Sequence, residues 1–302
     1  MSRVILRGLN GTNPLGFLAS LGLLRLLRQT NDVARLGFLS DGSFHPFVEG
    51  FDGDITALVC RDAALAEGKQ EWWLEYEKAG KDGVIVADLK PPPPVFKDFL
   101  DACVEHWCSG DGEPVAFAAA FGTSVIVDRT KNKNIKPTAF HFTAAQQEFL
   151  DIVEKIRAVV TSEWANRSLF EGHADHPGSN LRWDPSAERN WALRLNDPQK
   201  DGTRVDAPLE WLAFRGLPLF PCFPFGARII TTAVSGRSDD MKMTWPLWSV
   251  PISLETARST LQITWSGASR DRAMRGVFAV CTSAIRRTSQ GFGNFGPAMV
   301  TS

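Results

Sequence analysis

Tyrosine is nearly missing from this chain of 302 residues, which holds one against ten tryptophans and twenty phenylalanines. Net charge is nearly missing as well: at −1, no bulk electrostatic attraction marks the molecule as a polyanion binder. The five cysteines, at 60, 103, 108, 222 and 281, have no framework spacing, and an odd number excludes a fully paired disulfide scaffold. Such usage fits a reducing cytoplasm with mostly buried thiols. A spanning helix needs roughly 20 apolar residues, and the run from Leu15 to Leu27 is too short. The same run ends in Arg25 and Arg28 with no convincing cleavage site behind it, which argues against a secretory signal. The expectation is a soluble, cytoplasmic protein with no membrane partner.

Catalytic signatures are missing too. The chain contains no Gly-x-Ser-x-Gly, no His-Glu-x-x-His and no P-loop. Its carboxylates are plentiful but show no spacing that specifies a paired acid and base. Gly291-Phe292-Gly293-Asn294-Phe295-Gly296 fits G-x-G-x-x-G literally, yet only six residues follow it, so no dinucleotide-binding helix can form there. A glycine-rich hairpin with two projecting phenyl rings is the expected arrangement. Neither a catalytic residue nor a cofactor is assigned.

What is present is a large apolar fraction, 44%, with 22% charged residues, the composition of a globular protein able to bury a substantial core. Charge is unevenly spread. Residues 41–115 carry sixteen acidic and six basic side chains, whereas residues 256–302 carry six arginines against Asp271 alone. The run Asp128 to Lys136 adds Arg129, Lys131, Lys133 and Lys136. Such asymmetry allows one basic face on a neutral molecule.

Along the chain, RVILRGL reads as a strand and Asn10-Gly11-Thr12 as a turn. Asn13 then caps a helix beginning at Pro14. That helix is apolar almost all round, so it should be buried, and Gly16, Ala19, Ser20 and Gly22 form a small-residue arc for close packing. A strand pair is expected over 36–39 and 44–48, helical pattern from Asp54 to Glu77, and a strand in GVIVADL. Pro91 to Pro94 read as a stiff spacer, followed by a helix from Phe96 to Trp107. FGTSVIVDRTKNKNIKPTAFHF gives strand, basic loop and strand. One long helix capped by Thr143 should fill TAAQQEFLDIVEKIRAVVTSEW, and a short one PLEWLAFRGLPLF. Strands are expected at 228–234, 241–248 and 261–265, with a short helix over 254–258. Residues 270–287 fit helix or strand equally well. Helices and strands do not alternate regularly, so the expected class is α+β, with a mixed or antiparallel sheet packed with helices. The chain, residues 1–302, reads as one unit with room for two lobes, 1–142 and 143–302.

Two histidine patterns bear on chemistry. Cys103-x-x-His106-x-Cys108 with His173, Asp175 and His176 offers zinc donors, but no paired CxxC accompanies them and no metal is assigned. His141-Phe142-Thr143 matches the H-x-T of two-histidine phosphoesterases, which need two copies; the chain has one. The basic and aromatic residues offer a different chemistry. Arg129, Lys131, Lys133 and Lys136 with Arg270, Arg272, Arg275, Arg286 and Arg287 would track phosphates, while Phe292 and Phe295 stack on bases. Asn294 or an arginine in those loops would read bases.

Five segments also carry a family likeness. NPLGFLASLGLLRLL, PTAFHFTAAQQEFLDIV, LRWDPSAERNWALRLNDP, PLEWLAFRGLPLFP and TWPLWSVPISLETARSTL together resemble, in this order, proteins encoded in type I-G (formerly I-U) CRISPR–Cas loci. The resemblance implies a large-subunit-like or accessory component of a type I effector complex. Its partners would be guide RNA, target DNA and other effector subunits, with recruitment of a helicase–nuclease as a further role. It carries over no functional residue. Two rival expectations stand beside it. One is a protein–protein scaffold using the acidic 41–115 region and tryptophans such as Trp72 and Trp73. The other is an enzyme in which His173, Asp175, His176 and a cysteine converge.

Overall fold

Asn13 decides where the first helix begins. Its side-chain oxygen accepts from the Leu15 N–H at 2.9 Å, and Pro14 follows where a missing N–H costs nothing. The structure, a computed structural model, describes residues 3–64, 88–128, 133–143, 147–172, 176–187, 204–265, 269–288 and 291–302. The described chain opens with β1 (Arg3–Ile5) and enters α1 (Pro14–Thr30), which is buried from Pro14 to Leu27. β2 (Arg35–Phe38) and β3 (Pro46–Glu49) form the expected pair, and β3 also pairs antiparallel with β1.

α2 (Ile55–Ala63), capped by Asp54, realises the first part of the helical pattern. The remainder of that pattern and most of GVIVADL lie outside the described residues. α3 (Pro93–Cys108) starts inside the proline run, so Pro93 and Pro94 are not spacer but first turn, where the ring is tolerated. α4 (Glu113–Phe121) was not expected from the sequence, because EPVAFAAAF is apolar on nearly every side and shows no helical period. It runs directly into β4 (Gly122–Val127), which pairs with β5 (Ile135–Pro137).

The long helix expected from Thr143 is broken up. α5 (Phe149–Ala158) begins later and is capped from a distance: the Asp88 carboxylate accepts from the Phe149 N–H at 3.4 Å. Thr143 bonds to His141 instead. α6 (Ser162–Asn166) starts afresh at the Thr161 cap and passes into a π turn, Arg167–Glu171. The pair β6 (His176–Pro177) and β7 (Arg204–Val205) leads to α7 (Ala207–Gly216), which ends as expected in a turn at Pro218. β8 (Cys222–Phe225) and β9 (Arg228–Thr231) form a hairpin over Gly226-Ala227, with Gly226 at φ 57, a left-handed position that favours glycine.

β10 (Val234–Ser235) and β11 (Lys242–Trp248) follow. α8 (Leu254–Leu261) extends past the expected short helix and replaces the strand read over 261–265. Residues 270–287 contain both alternatives in turn: α9 (Ser269–Met274), then β12 (Val277–Arg287). β13 (Gly293–Phe295) folds back on β12 as the expected glycine-rich hairpin, and β14 (Met299–Thr301) pairs with β12 further along. The resulting five-stranded antiparallel sheet, the small sheets and the helices make an α+β fold.

α1 and α7 form the centre. Gly22 faces the Leu212 carbonyl so closely that no side chain fits between the helices. The small-residue arc of α1 thus does what its sequence implied, although Gly16 packs on the Asn10 backbone rather than on α7. Among the described residues four tryptophans are fully buried, Trp211 on α7 itself, and each of their indole N–H groups has an acceptor. Trp183 donates to Phe140 O, Trp245 to Gly11 O, Trp248 to Leu36 O and Trp211 to the Asp62 carboxylate. Burying an indole without such a partner would be costly. Among the described residues, no helix is long and apolar enough to cross a membrane.

Candidate nucleic-acid interface

The basic loop sits between β4 and β5. Arg129 and Lys131 lie outside the described residues. Lys133 is exposed in the left-handed region, at φ 55, and Lys136 is half-buried on β5. The Asp128 N–H donates to Asn134 O at 2.8 Å and closes the neck of the loop. The β8–β9 hairpin lies against β4, so a second ribbon stands beside the basic one.

That second ribbon has two chemically distinct faces. Phe223 pairs with Ile230 and Phe225 with Arg228, which puts these four side chains on one face. Cys222 and Thr231, on the other face, are tied to the body: the Cys222 thiol contacts Ala120 O at 3.4 Å, and Thr231 Oγ1 accepts from the Ala139 N–H at 2.9 Å. The opposite face therefore points outward, with Phe223 47% and Phe225 60% exposed. The Arg228 guanidinium lies 5.8 Å from the Phe225 ring centroid.

The C-terminal candidates divide into two groups. Arg286 and Arg287 end β12 near the basic ribbon. Arg287 donates to His141 O at 3.1 Å and to Ala139 O at 3.0 Å, three residues along from Lys136, and lies over the Phe142 ring. Its fork is thus engaged in holding the fold, although both Arg286 and Arg287 are exposed. Arg270, Arg272 and Arg275 sit on and after α9, beyond the other end of β12. β12, about 34 Å long over its eleven residues, runs from the second group to the first, which forms its last two positions. Arg272 donates to Ser302 O at 3.0 Å.

The stacking expectation needs correction. Phe295 is fully buried and packs against Phe140 and Phe142, so its ring belongs to the core. Phe292 is half-buried beneath Arg182, whose guanidinium stands 4.6 Å from its ring centroid. The Asn294 amide donates to Phe295 O at 3.2 Å. The hairpin exists, but its two rings do not project together.

Other polar clusters lie inside. His141 Nε2 stands 2.7 Å from the Asp88 carboxylate and 2.9 Å from the Thr143 hydroxyl, so the H-x-T pattern is a local buried contact. Burial holds the imidazole below its ordinary pKa, against the pull of Asp88, and keeps it neutral. Burial also works to raise the Asp88 carboxyl, but the His141 hydrogen bond, with Lys90 nearby, brings it down to about 2. A second cluster joins α1, α2, α4 and α7. Arg25 pairs with Glu113 at 2.7 Å and donates to Arg215 O, while Arg215 pairs with Asp62 at 2.9 Å. Burial lowers Arg25 to about 10 and raises Asp62 above its ordinary value, against Arg215 and the Trp211 N–H. Glu210 is buried on α7, accepts from the Leu181 N–H at 3.3 Å, and is pushed well up by burial.

The metal-donor candidates do not assemble. His173 and Asp175 lie outside the described residues, as do Trp72 and Trp73. His176 packs on Trp164, with ring centroids 5.2 Å apart and the planes tilted by 51°. On α3, Cys103 is buried, with burial pushing its thiol up to about 12, whereas Cys108 is exposed. Among the described residues, no group of three or more His, Cys, Asp or Glu is placed to hold a metal ion.

Sequence reading missed Phe223, Phe225 and Arg228. The signal was present in PCFPFGARII, where phenylalanines alternate up to a Gly-Ala turn and Arg228 falls opposite Phe225. Pro221 and Pro224 hid it, because proline demotes a strand except at an edge. Compared with models of known protein families and with curated proteins, the chain matches none.

Proposed function

We propose that this protein is a non-catalytic nucleic-acid-binding subunit of a type I CRISPR effector complex, in contact with guide RNA, target DNA or both. The assignment to that defence system rests on the five segments that resemble type I-G proteins. The nucleic-acid reading rests on one observation: Lys133 and Lys136 lie on the β4–β5 ribbon, beside the β8–β9 hairpin that carries Arg228, on a molecule whose overall charge is only −1. Cations gathered in one region recruit phosphates locally without making the whole surface sticky.

Such binding displaces counterions and weakens steeply as salt rises. The test is affinity for guide-length RNA and for duplex DNA across a salt series, with the wild type and a Lys133→Glu, Lys136→Glu variant. Weaker binding and a shallower salt dependence in the variant support the reading. No binding to either nucleic acid, alone or with the partner subunits from the native operon, overturns it.

A second reading, a scaffold docking protein to protein, draws on α3, where Val104 and Trp107 are exposed within the acidic 41–115 region. An exposed tryptophan is a frequent interface anchor. On that reading Trp107→Ala disrupts assembly, whereas the lysine variant leaves it intact.

A further inference from the structure

Among the described residues, three aromatic side chains are strongly exposed: Trp107, Phe223 and Phe225. Two of the three stand on a single strand, two positions apart. Residues i and i+2 of a strand point to one face about 6.8 Å apart. Aromatic rings stack at about half that distance, so two parallel phenyl rings at this spacing leave room for one flat base between them. We propose that the β8–β9 hairpin is a clamp for unpaired nucleotides, in which Phe223 and Phe225 hold a base while Arg228, Lys133 and Lys136 meet its flanking phosphates. The proposal deepens the nucleic-acid reading above and rests on it.

Several features of the hairpin favour this occupant. The ring-bearing face is held outward because the opposite face is pinned through Cys222 and Thr231. Gly226 and Ala227, at the tip, leave the approach to Phe225 open: a Cβ built on Gly226 would meet nothing within 4 Å. The hairpin carries Arg228 as its charged residue, and the neighbouring ribbon adds Lys133 and Lys136 beside Asp128. Cations therefore outnumber the carboxylate around the rings, a balance that suits a polyanion. Bases in a duplex are already stacked on one another, so the clamp selects single strands.

The test compares binding of a fluorescein-labelled oligo(dT) or oligo(U) of about 15 nucleotides with a duplex of equal length. The variants are Phe223→Ala with Phe225→Ala, and the aromatic-preserving Phe223→Trp with Phe225→Trp. Both side chains are exposed, and circular dichroism checks that the fold is kept. The expected result is about a tenfold or greater loss of single-strand affinity in the alanine variant. Its salt dependence and duplex affinity stay unchanged, because stacking releases no counterions. The tryptophan variant retains single-strand binding. Single-strand affinity unchanged within about twofold in the alanine variant overturns the clamp, while salt-sensitive binding in that experiment leaves the nucleic-acid reading standing. Absence of binding by the wild type to all three probes overturns both.

Discussion

A Cβ placed on Gly22 would stand 1.7 Å from the carbonyl oxygen of Leu212, across the contact between α1 and α7. Gly216 meets the Leu18 carbonyl in the same crossing, where its own Cβ would fall at 2.6 Å. Two backbones in direct contact cannot relieve an added methyl by rotating a side chain. Gly22→Ala is therefore expected to destabilise the protein by about 3 kcal/mol or more. Gly112→Ala is the control, since a Cβ there meets nothing within 4 Å and φ is −86. It should change stability by less than about 0.5 kcal/mol. Urea unfolding of both variants measures the contrast.

Asp62 is the acceptor for both Trp211 Nε1–H, at 2.8 Å, and Arg215, at 2.9 Å. Replacing it with alanine takes a charge partner from a buried guanidinium, a change that costs about 3 kcal/mol. Exchanging Asp62 for asparagine and Arg215 for methionine together should recover part of that loss, because no lone charge stays buried and the asparagine oxygen can still accept from Trp211 Nε1–H. A double-mutant cycle in urea reads the difference.

Stability should fall in acid through two separate groups. His141 is held neutral in the fold, so the unfolded chain takes up a proton first, and stability declines as pH drops below about 6.5. Asp88, with its pKa lowered to about 2, contributes stability above about 4 that is lost between there and about 2. The second loss amounts to about 2 kcal/mol. Because the two groups share a hydrogen bond, His141→Asn should flatten both declines, whereas Asp88→Asn should remove the second, in unfolding curves taken from pH 7 to pH 2.5.

Arg286 and Arg287 are neighbours in sequence with different roles. Arg287→Ala removes two hydrogen bonds to the backbone of 139 and 141 and should cost about 2 kcal/mol. Arg286→Ala should, on the proposed function, weaken nucleic-acid binding with a smaller salt slope. Thermal unfolding alongside a binding series separates the two.

The five cysteines should react unequally. Cys108 is exposed, whereas burial raises the thiols of Cys103 and Cys281 to about 12 and that of Cys222 to about 11. A thiol-exchange reagent at pH 8 is expected to label Cys108 first, and Cys108→Ser to remove the fast phase.

The sequence made α1 and α7 legible because each carries its own start signal, Asn13-Pro14 and Asp206 ahead of Pro208, and each has an apolar body. The α+β class and the C-terminal hairpin were legible for similar local reasons. α5 was legible as a helix but its start was not, because its cap comes from Asp88, sixty-one residues away, and a cap at that distance leaves no mark near the helix. Phe295 was misplaced because a glycine-rich context reads as surface, while its burial depends on Phe140 and Phe142 from elsewhere in the chain. For the same reason Phe223 and Phe225 went unread: exposure is a property of the assembled ribbon and not of the letters.

β12 sets a scale as well as a scaffold. Arg270, Arg272 and Arg275 precede it and Arg286 and Arg287 close it, so the two groups stand at opposite ends of an element of at most about 34 Å, close to the length of ten stacked nucleotides at 3.4 Å per step. An oligonucleotide lying along it would have to exceed that length to meet both groups, and a shorter one would sample a single end. Ligand length, rather than ligand charge, then becomes the variable that distinguishes one-ended from two-ended engagement.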